Sequence, residues 1–280
     1  MRRSSWPPRS PTGWAAATAV SVLIALAAFA LATYALSRQP GVDVVAYWNA
    51  AERLRDGQPL YAGGAANASD LYRYAPWFAA AWIPLTYLPH DAMTAAWVAL
   101  MVAAALLSTV PLLRIGPLGW AAFAIFAPLQ LIGAAFGNVQ PLLVLGLMWG
   151  VERRSGPLWI ALGASLKGVP LLLALVYAGR GEWRRAAVSL GLGALLVAPA
   201  FLFDLSHYST SPGPNQMSLA AVSPFLWLPV ALAAVAATWA LASTRFAWLA
   251  GAVAMIAALP RLLVYETGFL LIGLSGRRRG

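Results

Sequence analysis

The sequence contains no cysteine and very few charged residues. Without cysteine the chain can form no disulfide, no thiolate nucleophile and no thiolate metal site. Only 10% of the 280 residues are charged, whereas 61% are hydrophobic, which is far from the composition of a soluble globular protein. The composition therefore predicts an all-α polytopic transmembrane protein, which we treat as one membrane domain covering residues 1–280.

Several widespread catalytic patterns are also missing, namely the P-loop, GxSxG, HExxH and GxGxxG. Their absence disfavours ATP-driven transport, serine hydrolysis, zinc proteolysis and Rossmann-type cofactor binding. The two histidines, His90 and His207, lie far apart, and no carboxylates or histidines show metal-ligand spacing. We therefore assign no metal-binding residues and no cofactor, and the metal dependence stays open.

Positive charge is in excess, but it occurs at the ends of apolar segments. Lys and Arg total 19 against 9 Asp and Glu, a formal net charge of +10. This placement predicts cytoplasmic membrane anchors rather than a nucleic-acid surface, with membrane lipids as partners. Residues 1–13 and 276–280 are then cytoplasmic basic tails. The anchoring arginines are Arg2, Arg3, Arg9, Arg153, Arg154, Arg180, Arg184, Arg185 and Arg277 to Arg279.

About ten apolar segments divide the chain. Residues 14–36 have about the 20 residues that a spanning helix needs, and they exceed the apolar core of a signal peptide, which is the alternative. We predict an uncleaved first helix there. Several later segments are short or broken by Pro and Gly, which indicates re-entrant or half-length helices. The nine apolar segments after the first helix are 76–89, 91–113, 117–135, 138–150, 157–178, 186–203, 223–243, 246–259 and 262–275.

The segment at 157–178 is interrupted by Lys167, Gly168 and Pro170 and joins two Arg-rich loops. A hairpin of two half-length helices would keep both loops cytoplasmic and place Lys167 towards the outer face. With a cytoplasmic N-terminus, residues 37–75 become the first outer loop. Residues 204–222 also lie outside, and the segment at 76–89 must be re-entrant.

Four of the nine carboxylates lie within residues 41–89. Asp43 can begin a helix whose apolar side carries Val44, Tyr47 and Trp48 at helical spacing, and Gly57 ends it. An amphipathic helix with aromatic residues suits the plane of a membrane interface. At the start of this helix, Asp43 is also a natural N-cap, which is the structural alternative to a chemical role.

Lys167 is the only lysine in the chain and lies within an apolar segment. An ionisable residue at membrane depth indicates function, and phosphate is its natural partner, whereas a snorkelling lysine is the alternative. Glu266 is expected to form a structural pair with Arg261.

Two uncharged polar breaks provide candidate hydrogen bonds to a sugar. One contains Asn138 and Gln140, and the other contains Asn215 and Gln216. A plain turn and a solvated loop are the respective alternatives.

The order of these pieces resembles glycosyltransferase family 87, whose members are membrane enzymes of the GT-C fold class that include mannosyl- and arabinofuranosyltransferases. The resemblance covers about residues 15–270 and rests on order and spacing together. Its motifs are Asp43 with Tyr47 and Trp48, YAPWFAAAWIPLTYLP (74–89), GNVQPLLVLGL (137–147), LKGVPLLLAL (166–175), GEWRRA (181–186) and NQMSL (215–219).

The resemblance implies inverting transfer of mannose or a similar sugar from a polyprenyl-phosphate donor to a lipid or glycan acceptor. It places the reaction on the outer side of the plasma membrane, with Asp43 as general base. A cation would stabilise the leaving phosphate, and Lys167 is the first candidate, with Arg73 the second. The candidates for hydrogen bonds to the sugar or phosphate are Tyr47, Asn138, Gln140, Asn215 and Gln216.

Two features depart from the family pattern. The chain is short, and its C-terminal portion lacks an expected His-Tyr pair, which predicts a reduced member without part of the acceptor or lipid groove. Two alternatives to a transferase stay open at this point. One is a lipid or lipid-linked-sugar carrier, and the other is an inactive partner of a larger transferase.

Overall fold

The computed structural model describes residues 40–61, 71–206, 208 and 217–279, together with Val22, Leu26 and Ala30. All regular secondary structure in these ranges is helical, which confirms the all-α class. The predicted N-terminal tail, Asn215 and Gln216 lie outside the described residues. So does most of the predicted first helix, although its three described positions are helical.

Eleven α-helices follow one another in the described residues from 40 onward, and several of them are extended by 3₁₀ helix. The α-helices are α1 (Val42–Arg55), α2 (Pro76–Trp82), α3 (His90–Thr109), α4 (Pro117–Ala135), α5 (Gln140–Gly150), α6 (Gly156–Lys167), α7 (Ala174–Gly179), α8 (Trp183–Val197), α9 (Leu219–Val222), α10 (Pro224–Ala240) and α11 (Ala247–Ala258). The 3₁₀ helices are Ile83–Tyr87, Val110–Ile115, Val169–Leu173, Ala198–Leu202 and the C-terminal Val264–Arg279.

Helix α1 packs its apolar face against neighbouring helices. Its apolar face is buried, and the Tyr47 ring lies 5.0 Å from the Phe78 ring of α2, between centroids. Trp82 at the end of α2 meets Trp97 of α3 at 4.8 Å. Edge-to-face aromatic pairs of this kind stabilise beyond the area that they bury. The helix and its apolar face are as predicted, and α2 and α3 cover that face. The placement of α1 in the membrane interface stays a prediction.

The segment around Lys167 folds back on itself as the sequence predicts. Helix α6 ends at Lys167, and Gly168 has a φ of 68°, a value that favours glycine. The returning chain brings Tyr177 back to the start of α6, where its hydroxyl donates to the Val151 carbonyl. The break at Gly168 therefore produces a hairpin of short helices.

The two Arg-rich loops meet at the open end of this hairpin. Arg185 donates to the backbone carbonyl of Arg153 at 2.6 Å, and Arg180 pairs with Glu152 at 3.0 Å. Trp248 of α11 also donates to the Glu152 carboxylate. These contacts hold the hairpin shut at the end opposite Lys167.

Three helices in the described residues are long and apolar enough to cross a membrane, namely His90–Ile115, Pro117–Ala135 and Trp183–Leu202. Five other apolar helices are shorter. Leu195, Phe201 and Phe225 are among many large apolar side chains left exposed to the surroundings, as a lipid-facing surface requires. The chain is thus a helical membrane protein, and the number of crossings stays a prediction.

Candidate functional site

The N-terminus of α1 is held against the turn between α4 and α5. The amide of Gly41 donates to the Ala135 carbonyl at 2.8 Å, and the amide of Asp43 donates to the Phe136 carbonyl at 2.9 Å. Gly137 in that turn has a φ of 72°, and a Cβ there would lie 2.6 Å from Val44 Cγ2. Only a residue without a side chain allows this close approach.

Asp43 is not the N-cap of α1. Gly41 occupies the cap position with a left-handed conformation, and no side-chain cap bond is formed. Asp43 is the second helical residue, where a carboxylate also interacts favourably with the helix dipole. The capping alternative is therefore wrong, and the carboxylate is available for other contacts.

The Asp43 carboxylate accepts a hydrogen bond from Asn138. Asn138 Nδ2 lies 2.5 Å from Asp43 Oδ2 and 3.3 Å from the Tyr265 hydroxyl. Asn138 Oδ1 accepts the amide proton of Gln140 at 2.9 Å. Both polar atoms of the Asn138 side chain are thus engaged by protein groups, which suits orientation of Asp43 better than the predicted contact with a sugar.

Lys167 forms a buried ion pair with Glu266. Lys167 Nζ lies 2.8 Å from Glu266 Oε1, and the two side chains are 10% and 7% exposed. Glu266 Oε2 accepts the amide proton of Leu263 at 2.9 Å. The predicted pairing of Glu266 with Arg261 is therefore wrong, because the end of α6 places the ammonium group beside this carboxylate.

Asp43 is partly exposed, and its carboxyl pKa is raised above the ordinary value of 3.8. Burial of the carboxyl is the largest cause. The Asn138 hydrogen bond opposes this rise in pKa, and the positive charges of Lys167, Arg261 and Arg73 oppose it further. The site therefore combines a carboxylate of increased basicity with surrounding cations.

The remaining predicted residues divide by environment. Tyr47 is fully buried and donates to the Tyr74 hydroxyl at 3.3 Å, so its position supports the packing of α1. Burial raises the Tyr47 pKa well above its ordinary value, which keeps the phenol neutral.

Gln140 is also fully buried, yet its side-chain amide has no hydrogen-bond partner in the described part of the chain. Arg73 lies just before α2, and burial, followed by the charge of Arg261, lowers its pKa.

Three residues at the site are not among the site residues that the sequence predicts. Arg261 lies between α11 and the C-terminal 3₁₀ helix, whereas Tyr265 and Glu266 lie in the first turn of that 3₁₀ helix. The available signal was the concentration of polar groups at a Pro-containing break between two apolar segments. The predicted lack of part of the acceptor or lipid groove stays a prediction, although the C-terminal portion supplies these three side chains.

A cavity of about 380 Å³ lies elsewhere, between α3, α5 and α6. Trp149 and Trp159 line it, and Arg153 at its edge belongs to the Arg-rich end. It contains neither Asp43 nor Lys167. Within the described ranges no group of three or more Asp, Glu or His residues is arranged to hold a metal.

A sequence model of glycosyltransferase family 87 matches residues 72–211, which is half of the chain. The chain belongs to glycosyltransferase family 87. The match includes Arg73, Asn138, Gln140 and Lys167, whereas Asp43 precedes it. No curated protein and no solved structure matches the chain.

Membership of family 87 makes the protein a glycosyltransferase, with a sugar donor and an acceptor as substrates. In this transferase, Asp43 and the segment that supplies Arg261 lie on either side of the matched region in sequence. The folded chain brings these flanking parts together with Asn138 and Lys167.

Proposed function

We propose that this glycosyltransferase moves mannose or a similar sugar from a polyprenyl-phosphate donor to a hydroxyl of a lipid or glycan acceptor, with inversion. The observation that carries the proposal is the Asp43 carboxylate, partly exposed and held at 2.5 Å by Asn138. A general base must lie within hydrogen-bond reach of the attacking hydroxyl and have a suitable pKa. The raised pKa of Asp43 favours that role.

In the proposed step the acceptor oxygen forms a bond to the anomeric carbon. The bond from that carbon to the phosphate oxygen breaks, and its electron pair leaves with the polyprenyl phosphate. The hydroxyl proton passes to Asp43 Oδ1 or Oδ2. The atoms and charges balance without a metal or nucleotide, because the negative charge of Asp43 is replaced by a second negative charge on the phosphate.

Asn138 acts here as a positioning residue. By donating to Asp43 Oδ2 it fixes the carboxylate plane and leaves a lone pair for the acceptor hydroxyl. Gln140 is the better candidate for a sugar contact, because its buried amide lacks a partner in the described residues. Asn215 and Gln216 stay candidates from the sequence.

We place this reaction on the outer side of the plasma membrane. Asp43 and Lys167 lie at the end of the α6 hairpin opposite the Arg-rich loops. Arginine-rich loops stay on the cytoplasmic side in most membrane proteins. The lipid phosphate of a polyprenyl donor would then meet the site at the membrane surface.

The test compares wild type with Asp43→Asn in sugar transfer from labelled polyprenyl-phosphate mannose or arabinose to endogenous lipid acceptors. Loss of the base is expected to lower the rate about 10²–10⁴-fold. Asp56→Asn is a matched control, since Asp56 is an exposed carboxylate at the other end of α1, paired with Arg55. Equal rates for wild type and Asp43→Asn would remove Asp43 from the base role, and an inactive wild type would favour the carrier or partner alternatives.

A further inference from the structure

The segment between α11 and the C-terminal 3₁₀ helix, residues 259–263, carries Arg261. Met217 donates to the Leu262 carbonyl at 3.0 Å, and Ser218 Oγ donates to the Pro260 carbonyl at 2.6 Å. The backbone amide of Leu263 donates a hydrogen bond to the Glu266 carboxylate, which also pairs with Lys167. These contacts fix the backbone on both sides of Arg261.

Arg261 carries a donor that the protein leaves unsatisfied. Its Nε is buried and has no hydrogen-bond partner in the described part of the chain. A buried guanidinium donor without a partner is costly, so its position indicates a ligand that accepts hydrogen bonds. The positive charge of Arg261 also reaches Asp43 and Arg73.

Lys167 is less suited than Arg261 to neutralise a substrate. Its ammonium group is matched at 2.8 Å by Glu266, and both side chains are almost fully buried. A planar guanidinium offers paired donors in the geometry of phosphate oxygens, which an ammonium group does not.

We propose that Arg261 binds the phosphate of the lipid donor and stays bound to it after the bond between the phosphate and the sugar has broken. This inference rests on the proposed function, because a polyprenyl phosphate is the donor assumed there. As Asp43 takes up the proton, the negative charge moves from the carboxylate to the departing phosphate. The charge of Arg261 acts on the Asp43 carboxylate. As a ligand of the phosphate, Arg261 would also stabilise the charge that the phosphate gains on transfer. Lys167, which is paired with Glu266, adds positive charge near the Asp43 carboxylate.

The experiment measures binding rather than turnover. Purified full-length protein in detergent is titrated with a polyprenyl monophosphate and with the polyprenol of the same chain length. Wild type is expected to prefer the phosphate, and Arg261→Gln is expected to weaken phosphate binding about 10–100-fold, the range of a charge-assisted hydrogen bond. Polyprenol binding should not change.

Three further variants complete the test. The phosphate affinity of Arg261→Lys should fall between those of wild type and Arg261→Gln, because lysine keeps the positive charge but lacks the paired donors of the guanidinium group. Asp43→Asn should bind the phosphate at least as tightly as wild type, since a like charge is removed. Arg55→Gln, which changes the net charge at an exposed ion pair, should behave as wild type.

Two results would overturn the assignment. They are wild-type affinity in both Arg261 variants, and a wild type that binds polyprenol as tightly as the phosphate. If both Arg261 variants bind the phosphate like wild type and transfer activity is intact, the role of Arg261 is rejected but the proposed function is not. Phosphate binding that depends on Arg261, with equal transfer by wild type and Asp43→Asn, would instead reject only the base assignment.

Discussion

At the scale of single residues, the site depends on the hydrogen bond between Asn138 and Asp43. The sequence marked both residues, but it assigned Asn138 to a sugar. The structure shows that the Asn138 side-chain amide donates to Asp43 and that its side-chain oxygen accepts a hydrogen bond from the backbone amide of Gln140. Such pairing across 95 positions of the chain has no local signal in a sequence.

The pH dependence of transfer follows from the environment of Asp43. The carboxylate must be deprotonated to act as a base, so the rate falls as the pH drops through the pKa of Asp43. Because burial raises that pKa, the acid limb of the profile is expected above the ordinary value of 3.8. Lys167, Arg261 and Arg73 limit the rise because their charges favour the carboxylate.

Asn138→Ala is expected to move the acid limb of kcat/KM to higher pH, because the hydrogen bond that it removes lowers the pKa of Asp43. The measurement is kcat/KM against pH in matched membranes. Asn49→Ala, on the same helix as Asp43, is the control and should leave the limb in place. A lower rate with an unshifted limb would mean that Asn138 acts on the substrate and not through Asp43.

At the scale of elements, the site exists because α1 is fastened to the turn after α4. Two backbone hydrogen bonds join Gly41 and Asp43 to the end of α4, and Trp97 Nε1 donates to the Gly137 carbonyl at 2.8 Å. The sequence located the helix and the polar break separately. Their contact depends on the absence of a side chain at Gly137, which periodicity does not reveal.

Gly137→Ala is expected to destabilise the protein and to displace Asp43. A non-glycine residue in a left-handed conformation costs about 1–2 kcal/mol, and the added Cβ would also collide with Val44 Cγ2. Thermal unfolding in detergent, together with transfer activity, would measure both effects.

The matched control for that change is Gly191→Ala on α8. A Cβ there meets no atom within 4 Å, so the substitution should be neutral or stabilising by up to about 1 kcal/mol. Equal melting temperatures for Gly137→Ala and Gly191→Ala would contradict the importance of the close approach between α1 and the turn.

At the scale of the whole molecule, polarity is divided between two ends. The Arg-rich loops and their partner Glu152 lie at one end, and Asp43, Lys167 and Glu266 lie at the other. The α6 hairpin separates the two groups. The positive-inside rule predicts an orientation with the first group cytoplasmic.

The absence of native cysteine allows this orientation to be tested with single introduced cysteines. Gln58→Cys, at an exposed position after α1, should react with a membrane-impermeant maleimide in intact cells. Arg154→Cys, exposed in the first Arg-rich loop, should react only after permeabilisation. The reverse pattern would place the site on the cytoplasmic side and exclude an outer-face reaction.

The all-α class, the approximate helix bounds, the break at Gly168 and the family are all predictable from the sequence, because hydropathy, Gly, Pro and motif order are local properties of the chain. Which polar groups contact each other is visible only in the folded chain. Lys167 pairs with Glu266 across 99 positions and Asn138 contacts Tyr265 across 127. These contacts depend on how helices pack and which face each one buries, and many pairings of a few polar residues satisfy the same hydropathy pattern.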